Sequence, residues 1–265
     1  MAKPRVDMAD KTMLVVGGTT GLGLSAARAL VSEGAKVVVV GRSEASAVRA
    51  AAELGDSARA AVGDATQSET SDRAVAAAVE FGGRLDGLYH VAGGSGRRFG
   101  DGPLDEVTDG GIERTLALNL SSMIRSNRAA VKQFLRQGGG GVILNMGSVL
   151  GFSPAPSFFA THVYAASKSA AVGFTKSIAA YYAGDDIRAN VIAPALVETP
   201  MAQRAANDDA IRAYIRRKQP LEGGRIGRPE DLDGAAVFLL GDGARYVTGQ
   251  VLAVDGGWCV SEGRV

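Results

Sequence analysis

The sequence is short of the features that mark secreted scaffolds, membrane proteins and nucleic-acid binders. It has one cysteine, Cys259, so no internal disulfide can form and a secreted disulfide framework is excluded. No stretch approaches the ~18–20 consecutive apolar residues of a membrane span, and no membrane association is expected. The first eleven residues carry Lys3, Arg5, Asp7, Asp10 and Lys11 and no apolar run of signal length, so the expected location is cytoplasmic. An excess of either charge is also missing. The 29 Lys and Arg against 28 Asp and Glu leave a net charge of +1, which gives no field favouring nucleic acid or anionic lipid. No metal site is expected.

What the chain has in quantity is glycine, 36 residues of 265, which points to tight loops and close backbone approaches. Its 46% hydrophobic and 22% charged content is ordinary for a globular protein. A chain of this length can bury one large core. With no internal repeat or linker-like stretch, residues 1–265 read as a single domain.

Short apolar runs alternate with helical patterns. Strands are expected over 12–16, 36–40, 58–62, 87–91, 142–146, 188–192 and 251–254. Helices are expected over 24–32, 70–81, 104–118, 121–136, about 164–182, 208–218 and 229–240. The second strand holds four consecutive valines, a run that suits a parallel strand covered on both faces. About seven strands interleaved with helices imply an α/β fold, a doubly wound parallel sheet with helices on both faces.

Between the first strand and first helix stands Gly17-Gly18-Thr19-Thr20-Gly21-Leu22-Gly23. Glycines allow a tight turn and close backbone approach to a pyrophosphate, and the following helix offers free N–H groups and a partial positive charge. The absence of a closing Gly-Lys-Ser/Thr argues against a P-loop. A methyltransferase remains open on the loop alone. At the end of the second strand an acidic residue would bind both ribose hydroxyls of NAD, but the sequence has Gly41-Arg42-Ser43. Gly41 leaves room and Arg42 can pair with a 2′-phosphate, so NADP(H) is expected in preference to NAD(H), with a surface cation as the plain alternative for Arg42. The missing acid also counts against a methyltransferase. Asp64 stands where it can bond the adenine amino group or cap a turn near Thr66.

Tyr164-Ala165-Ala166-Ser167-Lys168 places a phenol and an amine on one face of a helix. A free tyrosine, with a pKa near ~10, is a poor base at neutral pH. An ammonium about 4–5 Å away, at an effective dielectric near ~20, lowers the phenolate energy by ~3–4 kcal/mol. Desolvation opposes that pull. Lys168 can also bond a nicotinamide ribose. Ser148 closes the preceding strand, where a hydroxyl can hold a substrate oxygen beside Tyr164. Asn119, at a helix start, can position a water on Lys168 or serve as a cap.

In this order the residues resemble the classical short-chain dehydrogenases/reductases over nearly the whole chain, from about Asp10 to Trp258. Gly17, Gly21 and Gly23 match that family's glycine motif, and Asn119, Ser148, Tyr164 and Lys168 its catalytic tetrad. The resemblance implies a Rossmann-like sheet and an NAD(P)-dependent oxidoreductase that interconverts a ketone and a secondary alcohol, with Tyr164 as general acid and base. An NAD-dependent alcohol, sugar or steroid dehydrogenase of the same family is one alternative, and a non-catalytic nucleotide-sensing scaffold is the alternative of another class. The resemblance implies cofactor contacts from Thr19, Thr20, Leu22, Ser43, Ala65, Ala92 and Gly93. Pro194, Ala195, Val197 and Thr199 are similar to the family's nicotinamide-side loop. Residues 247–250 and 254–257 resemble its C-terminal signature, and a homo-oligomer, dimer or tetramer, is implied. Two departures stand out. His90 occupies the first Asn of the family's Asn-Asn-Ala-Gly and is expected to replace its structural hydrogen bond. Thr20 stands where NADP-dependent relatives often carry Arg or Lys.

Three segments are expected around the small-molecule carbonyl or alcohol. Residues 94–99 read as flexible and basic, with Arg97 and Arg98 either solvated or facing an acidic substrate. Residues 152–162 bring Phe152, Phe158, Phe159 and His162. Residues 198 to about 219 can form a lid, with Met201 and Tyr214 as apolar candidates. Phe158, Phe159 and Met201 are the substrate-contact candidates, against plain packing or a subunit contact for the phenylalanines.

Overall fold

A computed structural model describes residues 8–199, 202 and 207–262. Seven strands form one parallel sheet: β1 (Thr12–Val16), β2 (Lys36–Gly41), β3 (Ala58–Val62), β4 (Gly87–His90), β5 (Gly141–Met146), β6 (Ile187–Pro194) and β7 (Val251–Val254). Their spatial order is β3-β2-β1-β4-β5-β6-β7. The order reverses beside β1, so the crevice between the carboxyl ends of β1 and β4 is the position where such sheets take ligands.

The valine run explains the layering. Val37 and Val39 point to one face with Met13 and Val15, and pack against Ala26, Ala27 and Leu30 of α1 (Gly21–Ser32) and Val237 and Leu240 of α8 (Asp233–Leu240). Val38 and Val40 point to the other face with Leu14 and Val16. There they meet Ala74 and Ala78 of α3 (Ser68–Gly82) and Ala130 and Phe134 of α5 (Ser122–Gln137). All four valines are buried, as a strand covered on both faces requires. The remaining helices are α2 (Glu44–Leu54), α4 (Asp109–Leu116), α6 (His162–Tyr182) and α7 (Asp209–Lys218). Among the described residues no helix is long and apolar enough to cross a membrane.

The seven expected strands are present, three of them with the expected bounds. The helices depart more. The sequence reading has no helix at Glu44–Leu54, an alanine-rich helix whose buried face is Ser46, Ala47, Ala50 and Leu54. Small residues there carry too little hydrophobic contrast to mark a face. The expected helices over 104–118 and 121–136 are a short 3₁₀ turn at Leu104–Glu106, then α4, then a π-turn at Ala117–Ser121 that leads into α5 without a break. The π-turn sits on Asn119, and such widened turns favour functional sites.

Candidate active site

The glycine loop is forced by backbone packing. Gly17 has φ +85°, and a Cβ there would stand 2.6 Å from the Ala92 nitrogen. A Cβ on Gly23 would stand 2.2 Å from the Gly17 carbonyl oxygen and 2.9 Å from the Gly18 Cα. The loop is thus folded against both its own start and the strand end after β4. Gly23→Ala is therefore expected to destabilise the chain by about 1–3 kcal/mol and to weaken nucleotide binding at least about tenfold. Thermal unfolding with a nucleotide titration checks this, and unchanged affinity would refute the packing argument.

This loop leaves donors over. Thr20, at the N-cap of α1, makes no side-chain cap, and the first turn holds no acidic residue. The orphan N–H groups and positive end of α1 therefore face the crevice beside β4, which suits a pyrophosphate. Leu22 packs in part against the core. Thr19 is buried, and its Oγ1 accepts from Ser46 Oγ at 3.2 Å. A Cβ on Gly41 would stand 2.1 Å from that oxygen. The space expected beside Gly41 is thus taken by Thr19. Arg42 is exposed and makes no hydrogen bond or ion pair among the described residues. Ser43 caps α2, accepting from Ser46 N at 3.4 Å. Asp64 is exposed and accepts from Thr66 N at 2.9 Å, the turn-capping alternative, while Ala65 is buried against β1 and β2.

Tyr164 and Lys168 lie on the first two turns of α6. Lys168 Nζ stands 5.5 Å from the Tyr164 ring centre and donates to the Met146 carbonyl at 2.8 Å. Lys168 is 2% exposed, and burial lowers its amine to about 8, so it remains mostly protonated at neutral pH. The phenol of Tyr164 goes the other way. Burial raises its pKa, and the hydrogen bond with Ser148 opposes the rise. The expected downward pull of Lys168 does not prevail, because desolvation is the largest influence on the phenol. Ser148, 7% exposed, is fixed in turn by accepting from Leu150 N at 3.2 Å.

Behind this face, Asn145 exchanges two 2.9 Å hydrogen bonds with Asn127 of α5 and donates to Thr175 of α6 at 3.0 Å. This buried network ties α5 and α6 to the strand whose next residue, Met146, holds Lys168. Asn119 is fully buried. Its Oδ1 accepts from Gly94 N at 2.9 Å, and its Nδ2 donates to Gly94 O at 2.9 Å and Thr115 O at 3.0 Å. Its side chain therefore clamps the loop after β4. A Cβ on Gly93 would stand 2.8 Å from Asn119 Oδ1 and 3.6 Å from Lys168 Nζ, so Gly93 keeps the gap between them open. Ala92 borders the glycine loop.

Pro194 ends β6, with Ala195 packed in part beyond it. Val197 is buried and pairs with Gly227, and Thr199 is partly buried. The loop is clamped by a residue the sequence reading gave no role. Gln219, 3% exposed, accepts from Leu196 N at 3.1 Å and donates to Leu196 O at 3.2 Å. It sits just past α7, so no local spacing links it to this loop.

On the substrate side, Phe158 lies 5.2 Å from Tyr214, Tyr214 lies 5.7 Å from Trp258, and Phe159 lies 6.0 Å from Trp258, ring centre to ring centre. Phe158 and Phe159 thus join α7 and the C-terminal segment to the loop before Tyr164. Phe152 and His162 are exposed, and Met201 lies outside the described residues. The basic loop over 94–99 is ordered into a 3₁₀ turn at Gly96–Phe99. Arg97 donates to the Phe158 carbonyl at 3.2 Å, and Arg98 stacks 4.6 Å from the Phe99 ring.

The model of the family described as enoyl-(acyl carrier protein) reductase matches residues 16–259. An inactive 2-(S)-hydroxypropyl-CoM dehydrogenase 2 of Xanthobacter autotrophicus is 40% identical over 87% of this chain and 98% of its own. A 3β-hydroxysteroid dehydrogenase 1 of Eggerthella lenta is 36% identical over 97% of each chain. The crystal structure of a 3-ketoacyl-(acyl-carrier-protein) reductase from Brucella melitensis, solved with NADH, superposes with a TM-score of 0.84 at 30% identity, over 96% of this chain and 100% of that one. A parallel sheet with its crevice beside β1, a glycine loop in that crevice and relatives of this kind along almost the whole chain lead to one conclusion: the protein belongs to the short-chain dehydrogenase/reductase family and is an NAD(P)-dependent oxidoreductase.

Proposed function

We propose that the protein interconverts a ketone and a secondary alcohol, with Tyr164 moving the proton and NADP(H) as the preferred cofactor. The observation that carries the proton step is Lys168 Nζ 5.5 Å from the Tyr164 ring and anchored on the Met146 carbonyl, with Ser148 beside the phenol lowering its pKa. Ser148 and Tyr164 hold the substrate oxygen from two sides. A nicotinamide held by the loop from Gly17 to Gly23 and by Lys168 would supply or accept the hydride at the substrate carbon. Tyr164 gives its proton to the forming alkoxide during reduction and takes it back during oxidation. Lys168, mostly protonated at neutral pH and anchored on Met146, stabilises the phenolate and bonds the nicotinamide ribose. Asn119 holds Gly94 with its side chain and a water with its backbone carbonyl, which passes protons to Lys168.

Because burial holds the phenol up, the protonated form needed for carbonyl reduction is the resting form at neutral pH. The phenolate needed for alcohol oxidation is reached only at higher pH. Oxidation should therefore rise with pH across the alkaline range while reduction declines. Profiles of kcat for the two directions test this, and parallel profiles would overturn it.

The first turn of α1 and the loop from Gly17 to Gly23 hold the pyrophosphate, and Arg42 takes the 2′-phosphate. Exposure without a partner supports Arg42 in that role, since no competing contact must be broken. Arg42→Ala should weaken NADPH about 10- to 100-fold, the worth of a charge-assisted pair, and leave NADH within about twofold. Titration with both nucleotides decides the preference. Equal losses for both, or none, would assign the protein to NAD. Val197 and Thr199 would hold the carboxamide.

The substrate class follows from the relatives only in outline. Their names point to a 2-(S)-hydroxypropyl-CoM, whose bearer is described as inactive, a 3β-hydroxysteroid and a 3-ketoacyl-(acyl-carrier-protein). All share a secondary alcohol or its ketone, and a panel of such compounds with the preferred nucleotide is the direct assay. Tight nucleotide binding with no turnover on that panel would favour a sensing role instead.

A further inference from the structure

The helix that carries Tyr164 begins without a cap of its own. Thr161, at its N-cap position, makes no side-chain bond to the first turn, and that turn has no acidic residue. The first N–H groups of a helix lack intrahelical partners, and an N-cap side chain ordinarily takes those of the second and third residues. Here those residues are Val163 and Tyr164. Their N–H groups donate instead to Asp101, to Oδ1 at 3.1 Å and to Oδ2 at 2.9 Å. Asp101 is 4% exposed and lies 62 and 63 residues earlier in the chain.

We propose that Asp101 is a positioning residue for Tyr164, capping α6 from the loop after β4 and locking that loop to the first turn. The inference rests on the proton-transfer role proposed for Tyr164. Several contacts show that Asp101 is held in place for the task. Its own N–H donates to the Gly96 carbonyl at 3.1 Å. A Cβ on Gly96 would stand 2.1 Å from Thr115 Oγ1 and 2.6 Å from Asp101 Cβ, so the turn is pressed against α4 with Asp101 beside it. Arg97 bonds the Phe158 carbonyl at 3.2 Å, and Asn119 clamps Gly94. The segment over 94–101 is therefore fixed at Asn119, at Phe158 and at the first turn of α6. It bridges the two sides of the site. The carboxylate also meets the positive end of the helix dipole.

The full-length protein tests this through Asp101→Ala, Asp101→Asn and the double variant Asp101→Ala with Thr161→Asp, which supplies a cap locally. Amide exchange across 160–168, kcat, KM and nucleotide affinity are read together. In Asp101→Ala, exchange in the first turn should accelerate at least about tenfold, the scale of a lost cap. The kcat should fall about 10- to 100-fold as the phenol shifts from its place, with nucleotide affinity held within about twofold. Asp101→Asn, which keeps one acceptor, should fall between. The double variant should recover both the protection and most of kcat. Unchanged exchange in Asp101→Ala would overturn the inference. So would a loss of kcat, nucleotide affinity and melting temperature together that the local cap does not recover. The exchange readout needs no turnover, so it judges the cap even if Tyr164→Phe were to retain activity, a result that would count against Tyr164 alone.

Discussion

Tyr164→Phe should lower kcat by about a thousandfold or more in both directions while nucleotide affinity stays within about twofold. The change deletes one oxygen and keeps the ring, so packing in the first turn of α6 is preserved. Lys168 keeps its 2.8 Å bond to the Met146 carbonyl, and the glycine loop is untouched. What is lost is the phenol oxygen beside Ser148 and the proton that the phenol carries. Steady-state rates with a responsive ketone, together with nucleotide titration, measure both halves. Retention of more than about a tenth of wild-type kcat would sink the proposed mechanism, because a pocket that merely orients substrate would survive the change.

Stability should fall steeply in acid because of a different residue. His90 is fully buried at the end of β4, and burial, with Lys168 nearby, lowers its pKa to about 3. Its partners are consistent with a neutral ring. Ser122 donates to the Leu118 carbonyl at 2.6 Å, so its oxygen is left to accept from His90 Nε2 at 3.3 Å. Ser126, whose hydroxyl also lies 3.0 Å from the Met123 carbonyl, stands 2.8 Å from Nδ1 and is its donor when the ring is neutral. The unfolded chain takes up a proton near pH 6.5, whereas the folded chain resists until about 3. A depressed folded-state pKa on a base means that the unfolded state binds more protons throughout that interval. The contribution is complete above pH 6.5 and is lost as pH falls toward 3, at roughly 1.4 kcal/mol per pH unit. Lys168 adds no slope there, since an amine near 8 is protonated in both states below neutrality. His90→Asn should flatten the fall by about that amount per unit between pH 6 and 4. Urea unfolding of both proteins across that range reads it, and equal slopes would show that His90 is not the group responsible.

The resemblance called for a hydrogen bond at position 90 but gave no partner. The structure assigns the bonds to α5, through Ser122 and Ser126. Ser122 follows the π-turn that carries Asn119, so a substitution at 90 reaches the site through that helix.

The sheet was legible because its signal is local. Val37 to Val40 and residues 12–16 must be buried on both faces, and no other element accommodates such runs between glycines. Tyr164 and Lys168 were legible for a similar reason, since four residues on a helix fix their common face. The glycine loop could be read because steric demand is written into residue type: Gly17 and Gly23 have no room for a side chain. Contacts made over long separations left no such mark. Asp101 is an ordinary acid in a glycine-rich loop until folding brings it to Val163 and Tyr164. Gln219 is an ordinary amide at the end of α7 until it meets Leu196. The space beside Gly41 read as room for a phosphate until Thr19 filled it. The sequence by itself thus determined the order of the strands and of most helices, though not α2, together with the dinucleotide crevice and the pairing of phenol with amine. Only the tertiary structure decided which remote carboxylate caps the helix, where Asn119 spends its hydrogen bonds, and that burial rather than the lysine governs the phenol. Desolvation and hydrogen-bond satisfaction depend on neighbours that the chain supplies from far along its length.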